Sequence, residues 1–315
     1  MQKIKTIFIV NPASGKGMGL ATISAAIKEL PDCDIYTTVG AGDATRFVRE
    51  YCLQHPDETT RFCACGGDGT LFEVVNGAAG FDNAEVTCFP CGSGNDFVKY
   101  YGGPDIFRDA EKLVSAGSAP IDLMQVGERY SINVVNFGFD TNVCKVMNQA
   151  RNKPIIGGRN AYTWGIIVSL ITAMKNKAKV YADGELLNEK GTLLLCTVAC
   201  GKYVGGKYCC APRSKNDDGM LELCLIKPVS RLTFLSLIGK YEKGLHLDDP
   251  KFKDLIIYRR CKKVEVVAED GFSYTMDGEV IDGSRFTCEV SPAALKFASP
   301  TMTAVADASK QEQTV

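Results

Sequence analysis

The sequence has no charge surplus, almost no histidine and no apolar run long enough to cross a bilayer, and each lack closes a class of function. Its 36 Lys plus Arg face 37 Asp plus Glu, a net charge of -1 over 315 residues. A protein that tracks a polyanion carries a basic excess, so no nucleic-acid partner is expected. Any acidic ligand has to be held locally. The two histidines, His55 and His246, have no ligand-like companions beside them, which argues against a zinc site. The longest apolar stretch, residues 164–174, falls well short of the ~20 residues a membrane span needs. The apolar run in residues 1–10 is too short for the core of a secretion signal, so neither export nor membrane integration is expected.

What is present fits a soluble two-domain protein, with 45% hydrophobic and 23% charged residues at a length above one average domain. Fourteen cysteines are many, but Cys63, Cys196, Cys224 and Cys288 sit in apolar, strand-like runs, as reduced buried thiols do. Cys88-Phe89-Pro90-Cys91 has the spacing of a redox dithiol. The helix such a dithiol requires is replaced by Gly92-Ser93-Gly94, so the spacing is read as a coincidence within a loop.

The first third alternates strand and helix with short connections, which implies a mostly parallel sheet covered on both faces. Strands are expected at 4–10, 34–38, 61–65 and 85–89, and helices at 18–30, 43–55, 71–79 and 107–117. Polar, glycine-rich loops follow three of the strands: Asn11-Pro12-Ala13-Ser14-Gly15-Lys16-Gly17, then Gly66-Gly67-Asp68-Gly69-Thr70, then Pro90 to Asp96. In a parallel sheet these loops emerge at one edge, where ligands bind. Glycines without Cβ atoms let backbone approach an anion and permit positive φ, and a strand, glycine turn and helix start form an anion site. The first loop lacks the spacing of a Walker A motif, and Gly66 to Gly69 does not match the dinucleotide fingerprint.

From Ile121-Asp122 the pattern changes to strands at 129–138, 178–183, 192–200, 220–226, 262–268, 273–276 and 286–291, an antiparallel sandwich interrupted by helices at 162–174 and 231–243. In the second helix Leu232, Leu235 and Ile238, with Phe234, Leu237 and Tyr241, form an apolar stripe that serves either as core or as a docking face. Lys215 to Met220 reads as an Asp-Gly turn or as a hard-cation site. Met276-Asp277-Gly278-Glu279 reads as a hairpin turn with a carboxylate beyond what the turn requires.

Taken together, Asn11-Pro12 with Ser14-Gly15-Lys16, Gly66 to Thr70, Gly92-Ser93-Gly94-Asn95-Asp96, Asp218-Gly219 and Asp277-Gly278-Glu279 resemble, in order and spacing, the diacylglycerol kinase-like lipid kinases. The likeness runs from about residue 4 to residue 298. It departs where the commonest form has Gly-Thr and this chain has Gly92-Ser93, which keeps the hydroxyl.

The resemblance implies an N-terminal Rossmann-like parallel α/β domain at 1–122, completed by a return of the chain at about 293–302, an antiparallel β-sandwich at 123–292, and a disordered tail at 303–315. It implies ATP-dependent phosphorylation of a lipid hydroxyl, most readily diacylglycerol to phosphatidic acid. Asn11, Lys16, Thr38, the Ala64-Cys65-Gly66-Gly67-Asp68-Gly69-Thr70 loop and Ser93 are then expected at ATP, with Asn95 and Asp96 in support. Glu279 becomes the general base, Asp68 a base or Mg²⁺ ligand, and Asp218 with the carbonyls of Lys215 and Met220 the holder of a structural Mg²⁺. The expected partners are ATP and a membrane-derived lipid alcohol. The expected setting is the cytoplasm, peripheral at the inner membrane face, with a homodimer left open. An NAD kinase shares the Gly-Gly-Asp-Gly turn and the two-domain plan, and a non-catalytic nucleotide-binding regulator is the third option. Gly92 to Asp96 and Asp277 to Glu279 favour the lipid kinase over both.

Overall fold

A computed structural model of the chain describes residues 4–14, 19–28, 30–150, 153 and 161–302. Lys16 and the expected tail at 303–315 lie outside the described residues. The chain divides into two compact units, Met1–Leu123 with Ser291–Val315, and Met124–Val290. Among the described residues no helix is long and apolar enough to cross a membrane.

The first unit alternates β1 (Lys5–Val10), α1 (Gly19–Ile27), β2 (Cys33–Thr37), α2 (Asp43–Gln54), β3 (Thr60–Gly66), α3 (Asp68–Ala78) and β4 (Ala84–Pro90). The sheet order is β2-β1-β3-β4, and the end of the long strand Arg285–Ser299 pairs beside β4 through Lys296 and Phe297. All of these pairings are parallel. Every residue of β3 and β4 is buried, as expected of strands covered on both faces. Helix α2 buries Ala44, Val48 and Cys52, one stripe at four-residue spacing. Helix α3 meets α2 at Gly77, where a Cβ would stand 2.8 Å from the Thr45 carbonyl oxygen. The returning segment is pinned by Ala293 N–H donating to Asp122 Oδ1 at 2.9 Å.

The helix expected at 107–117 is shorter, spanning Ala110–Ser115, and Gly117 opens a strand to Val126. A buried charge explains the early stop. Arg61, central in β3, pairs with Glu85 at 2.7 Å and donates to the carbonyls of Leu113, Val114 and Ala116. A guanidinium satisfies the last carbonyls of a helix and favours its negative end.

Among the described residues the second unit is built mainly of two antiparallel sheets, with a two-stranded ribbon of Tyr203–Val204 and Tyr208–Cys209 in addition. One has the order Ile256–Cys261, Leu221–Ile226, Leu195–Ala199, Val134–Gly138, Ser273–Met276, Glu279–Asp282. The other runs Thr192–Leu193, Asn176–Ala182, Lys263–Ala268, then the start of Arg285–Ser299. The single strand expected at 192–200 changes sheets at Leu194, whose N–H donates to the Ile226 carbonyl. The strand expected at 286–291 continues to Ser299. The strand expected at 129–138 breaks into Arg129–Ser131 and Val134–Gly138, because the amides at the break turn to a carboxylate described below. Among the described residues three α-helices, not two, interrupt this unit. Phe139–Ala150 escaped notice because FDTNVCKVMNQA is rich in poor helix formers.

Candidate active site

Asn11 at the start of the first loop, the Gly66 turn and the Pro90 to Asp96 loop do meet, at the carboxyl ends of β1, β3 and β4. Asn11 N–H donates to the Cys65 carbonyl at 3.1 Å, while Cys91 N–H and Gly92 N–H both donate to the Gly66 carbonyl. The reason for the glycines differs from one expectation. None of Gly66, Gly67, Gly69, Gly92 and Gly94 takes a left-handed φ. What they permit is close approach. A Cβ on Gly92 would stand 2.5 Å from Gly67 Cα, and one on Gly94 would stand 2.6 Å from Asp68 Oδ2. The turn and the loop therefore interleave backbone against backbone.

Helix α3 starts at Asp68, three residues before the start expected at 71, so Asp68, Gly69 and Thr70 form its first turn. Asp68 Oδ1 accepts the Asp96 N–H at 2.6 Å, tying helix start to loop. Asn95, at φ 48, closes the loop on itself by accepting the Gly92 N–H and donating to the Gly92 carbonyl. Lys99 Nζ donates to the Gly94 carbonyl at 2.8 Å and pairs with Asp96 Oδ1 at 2.5 Å.

Not all expected contacts offer a side chain. Ala64, Cys65, Thr38, Thr70 and Asn95 are buried, whereas Ser93 is exposed. The Thr70 hydroxyl accepts from Asn11 Nδ2 at 3.2 Å, and Thr38 donates through N–H and hydroxyl to the Val10 carbonyl. These residues brace the loops, and Ala64 and Cys65 can offer only backbone. Burial pushes the thiols of Cys63 and Cys88 well up, and those of Cys65 and Cys91 up as well. All fourteen cysteines are free, so the Cys88/Cys91 spacing carries no disulfide. Neutral thiols are poor nucleophiles.

Two groups in this unit carry weight that the sequence reading missed. Lys99 brings a cation to the third loop; its spacing of three from Asp96 was the available signal. Glu73, on α3, accepts the amides of Gly42 and Ala44 and so holds the loop that follows Thr38. Nothing local to Glu73 announces partners some thirty positions away.

In the second unit, Asp277 and Gly278 turn the hairpin with φ 49 and 93, the left-handed pair of a type I′ turn. The buried Asp277 carboxylate accepts from the Ser131 hydroxyl and the amides of Ile132, Asn133 and Val134, at 2.7 to 3.1 Å. Burial holds its carboxyl above the usual range, against the pull of those donors. The carboxylate in excess of the turn's needs is therefore shared between two residues: Asp277 faces inward, and exposed Glu279 begins the next strand. Asp218 Oδ2 accepts from Arg260 at 2.5 Å, beside buried Glu222, which burial raises to about 6. The oxygens of Asp218, Lys215 and Met220 are of the type a hard cation takes, with Arg260 as the cation already at Asp218. No cluster of three or more acidic, His or Cys ligands occurs among the described residues.

Comparison with known proteins matches residues 5–126 to the diacylglycerol kinase catalytic domain and residues 133–299 to the YegS C-terminal NAD kinase beta sandwich-like domain. A diacylglycerol kinase of Bacillus subtilis (strain 168) is 30% identical over 278 residues, covering 86% of this chain and 88% of that one. A YegS-like probable lipid kinase of Enterobacter sp. (strain 638) is 27% identical over 305 residues, with coverage of 94% and 96%. The fold matches a solved structure of a diacylglycerol kinase from Bacillus anthracis str. Sterne, with TM-score 0.69, 22% identity and coverage of 95% and 98%. The matched catalytic domain and the kinases among its relatives make the chain a kinase. The chain belongs to the diacylglycerol kinase family of lipid kinases.

Proposed function

We propose that the protein transfers the γ-phosphate of ATP to the hydroxyl of a membrane lipid, diacylglycerol before others, giving phosphatidic acid and ADP. The observation that carries this reading is the interleaving of Gly66-Gly67 with Gly92 at the start of α3, locked by the Asp96 amide on Asp68. A helix start fed by a glycine turn favours phosphate through its amides and dipole.

Each residue then has a part. Backbone of Ala64 to Gly69, with the Ser93 hydroxyl and Lys16, binds the nucleotide; Asn11, Thr38, Thr70, Asn95 and Asp96 keep its loops in shape. Asp68 braces the third loop and would serve as a ligand to the Mg²⁺ carried by the nucleotide. The metal supplies charge neutralisation at the transferring group, the main demand of phosphoryl transfer. Glu279 takes the proton as the lipid oxygen bonds to phosphorus and the bond to the ADP oxygen breaks, worth about 10²–10⁴ in rate. Asp218 with the Lys215 and Met220 carbonyls would hold a structural Mg²⁺. The protein works in the cytoplasm, against the inner face of the membrane that holds its acceptor.

The test is a panel of diacylglycerol, phosphatidylglycerol, a sphingoid base, an undecaprenyl alcohol and NAD, each offered with labelled ATP and Mg²⁺. Label in phosphatidic acid is the expected result. Label in NAD alone overturns the reading.

A further inference from the structure

Two helices of Met124–Val290 carry apolar side chains outward. Ala161–Thr172, AYTWGIIVSLIT, contains no charged residue, the composition of a helix buried all round. Its fully buried positions are only the small residues Ala161, Gly165 and Ser169. At Gly165 a Cβ would stand 2.7 Å from the Val143 carbonyl oxygen, so this narrow face is the one pressed inward. On the other side Trp164, Ile167 and Ile171 are 37%, 46% and 68% exposed. Their spacing of three and four puts them in one row.

The Arg231–Glu242 helix divides its stripe in the same manner. Phe234, Leu237 and Tyr241 are buried, while Leu232 and Leu235 are 81% and 59% exposed. The two helices are neighbours. Arg231 Nε donates to the Leu170 carbonyl at 2.7 Å, which holds the start of the second helix against the end of the first. Tyr162, Ile166, Leu170 and Met174 pack on the same core cluster that contains Phe234, Leu237 and Tyr241. Five exposed apolar side chains thus stand on two adjoining helices.

Charge decides what covers it. No acidic residue occurs from 161 to 179, which holds Lys175, Lys177 and Lys179, nor from 227 to 241, which holds Lys227, Arg231 and Lys240. Glu269 and Asp249 pair with Lys177 and Lys240; Lys175 follows the first helix and Arg231 opens the second. An apolar face with a basic margin and a tryptophan matches the interface of an anionic bilayer, acyl chains below and headgroups around. We propose that Trp164, Ile167, Ile171, Leu232 and Leu235, bordered by Lys175 and Arg231, dock the protein on an anionic lipid surface. The proposal rests on the lipid kinase reading, since a soluble enzyme has to reach an acceptor that stays in the membrane.

The full chain and a variant carrying Trp164→Ser, Ile167→Ser, Leu232→Ser and Leu235→Ser are sedimented with phosphatidylcholine vesicles, with and without phosphatidylglycerol. All four positions are exposed, so the variant should melt like the parent. The parent is expected on the anionic vesicles, and the variant's partition coefficient falls by about tenfold or more. Turnover falls on vesicle-borne diacylglycerol and holds on a short-chain, water-soluble one. Equal binding by parent and variant, or equal binding to neutral and anionic vesicles, overturns the proposal. So does a parent dimer that the variant converts to monomer without vesicle binding, which assigns the face to a second copy. Vesicle binding by the parent alone, with no phosphate transfer to any acceptor, supports the docking face and overturns the kinase reading.

Discussion

The Gly66–Asp96 region and the Asp277 hairpin both hold irregular backbone in place, and they use different means. In the first unit, two backbones touch because glycines remove the side chains between them, with Asp68 adding one clasp at 2.6 Å. In the second, a single buried carboxylate gathers three amides and a hydroxyl from a strand some 145 positions away. Close approach leaves a site whose surface is backbone, suited to wrapping a ligand's oxygens. A carboxylate nest leaves a rigid turn, suited to aiming the next side chain, here Glu279.

The largest effect is expected where the contrast is greatest. Asp277→Ala strands three amides and a hydroxyl and puts alanine at a left-handed φ. It should cost about 3 kcal/mol and lower Tm by roughly 10 °C; Asp277→Asn keeps the turn's φ preference and should cost less. Unchanged melting of Asp277→Ala would remove the nest from the account. Gly92→Ala forces a Cβ against Gly67 Cα; it should cost about 1–3 kcal/mol of stability and reduce kcat/KM for ATP by about 10²-fold, since displacements near 1 Å carry such penalties. Full activity in that variant would mean that interleaving is incidental.

A smaller effect concerns pH. Asp140, shut away with Oδ2 unpartnered, has its carboxyl pushed up by burial to about 7 from 3.8. With a raised folded-state pKa the native protein binds more protons than the unfolded chain between those values, so its share of stability is present at low pH and is lost as pH rises from about 4 to about 7. Asp140→Asn should flatten that slope in melting curves; a slope kept intact assigns it elsewhere. Least of all, Cys91→Ser should change neither stability nor turnover, because no disulfide or thiolate depends on it.

The sequence made the first unit's strands and loops readable because each is a local pattern: apolar runs such as RFCACG, then glycine turns in register with strand ends. The fold class followed from that alternation. It failed where partners are distant. Arg61 in an apolar strand gives no local sign that it will end a helix at Ser115, and the strand from Arg129 gives no sign that Asp277 will break it. The Phe139–Ala150 helix was illegible for another reason. Tertiary packing, against Gly165 and its neighbours, outweighs weak propensity. At the site, composition identified the loops but not their division of labour, in which Thr70 and Asn11 bond each other, Thr38 bonds the Val10 carbonyl, and Ser93 is exposed.

The most direct measurement follows label from the γ-phosphate of ATP into diacylglycerol by the parent and by Glu279→Gln, side by side at equal concentration. Glu279 is exposed, so the variant should fold and melt unchanged. The account predicts labelled phosphatidic acid from the parent and a kcat lower by about 10²–10⁴ in the variant. Equal turnover by the two proteins would contradict it.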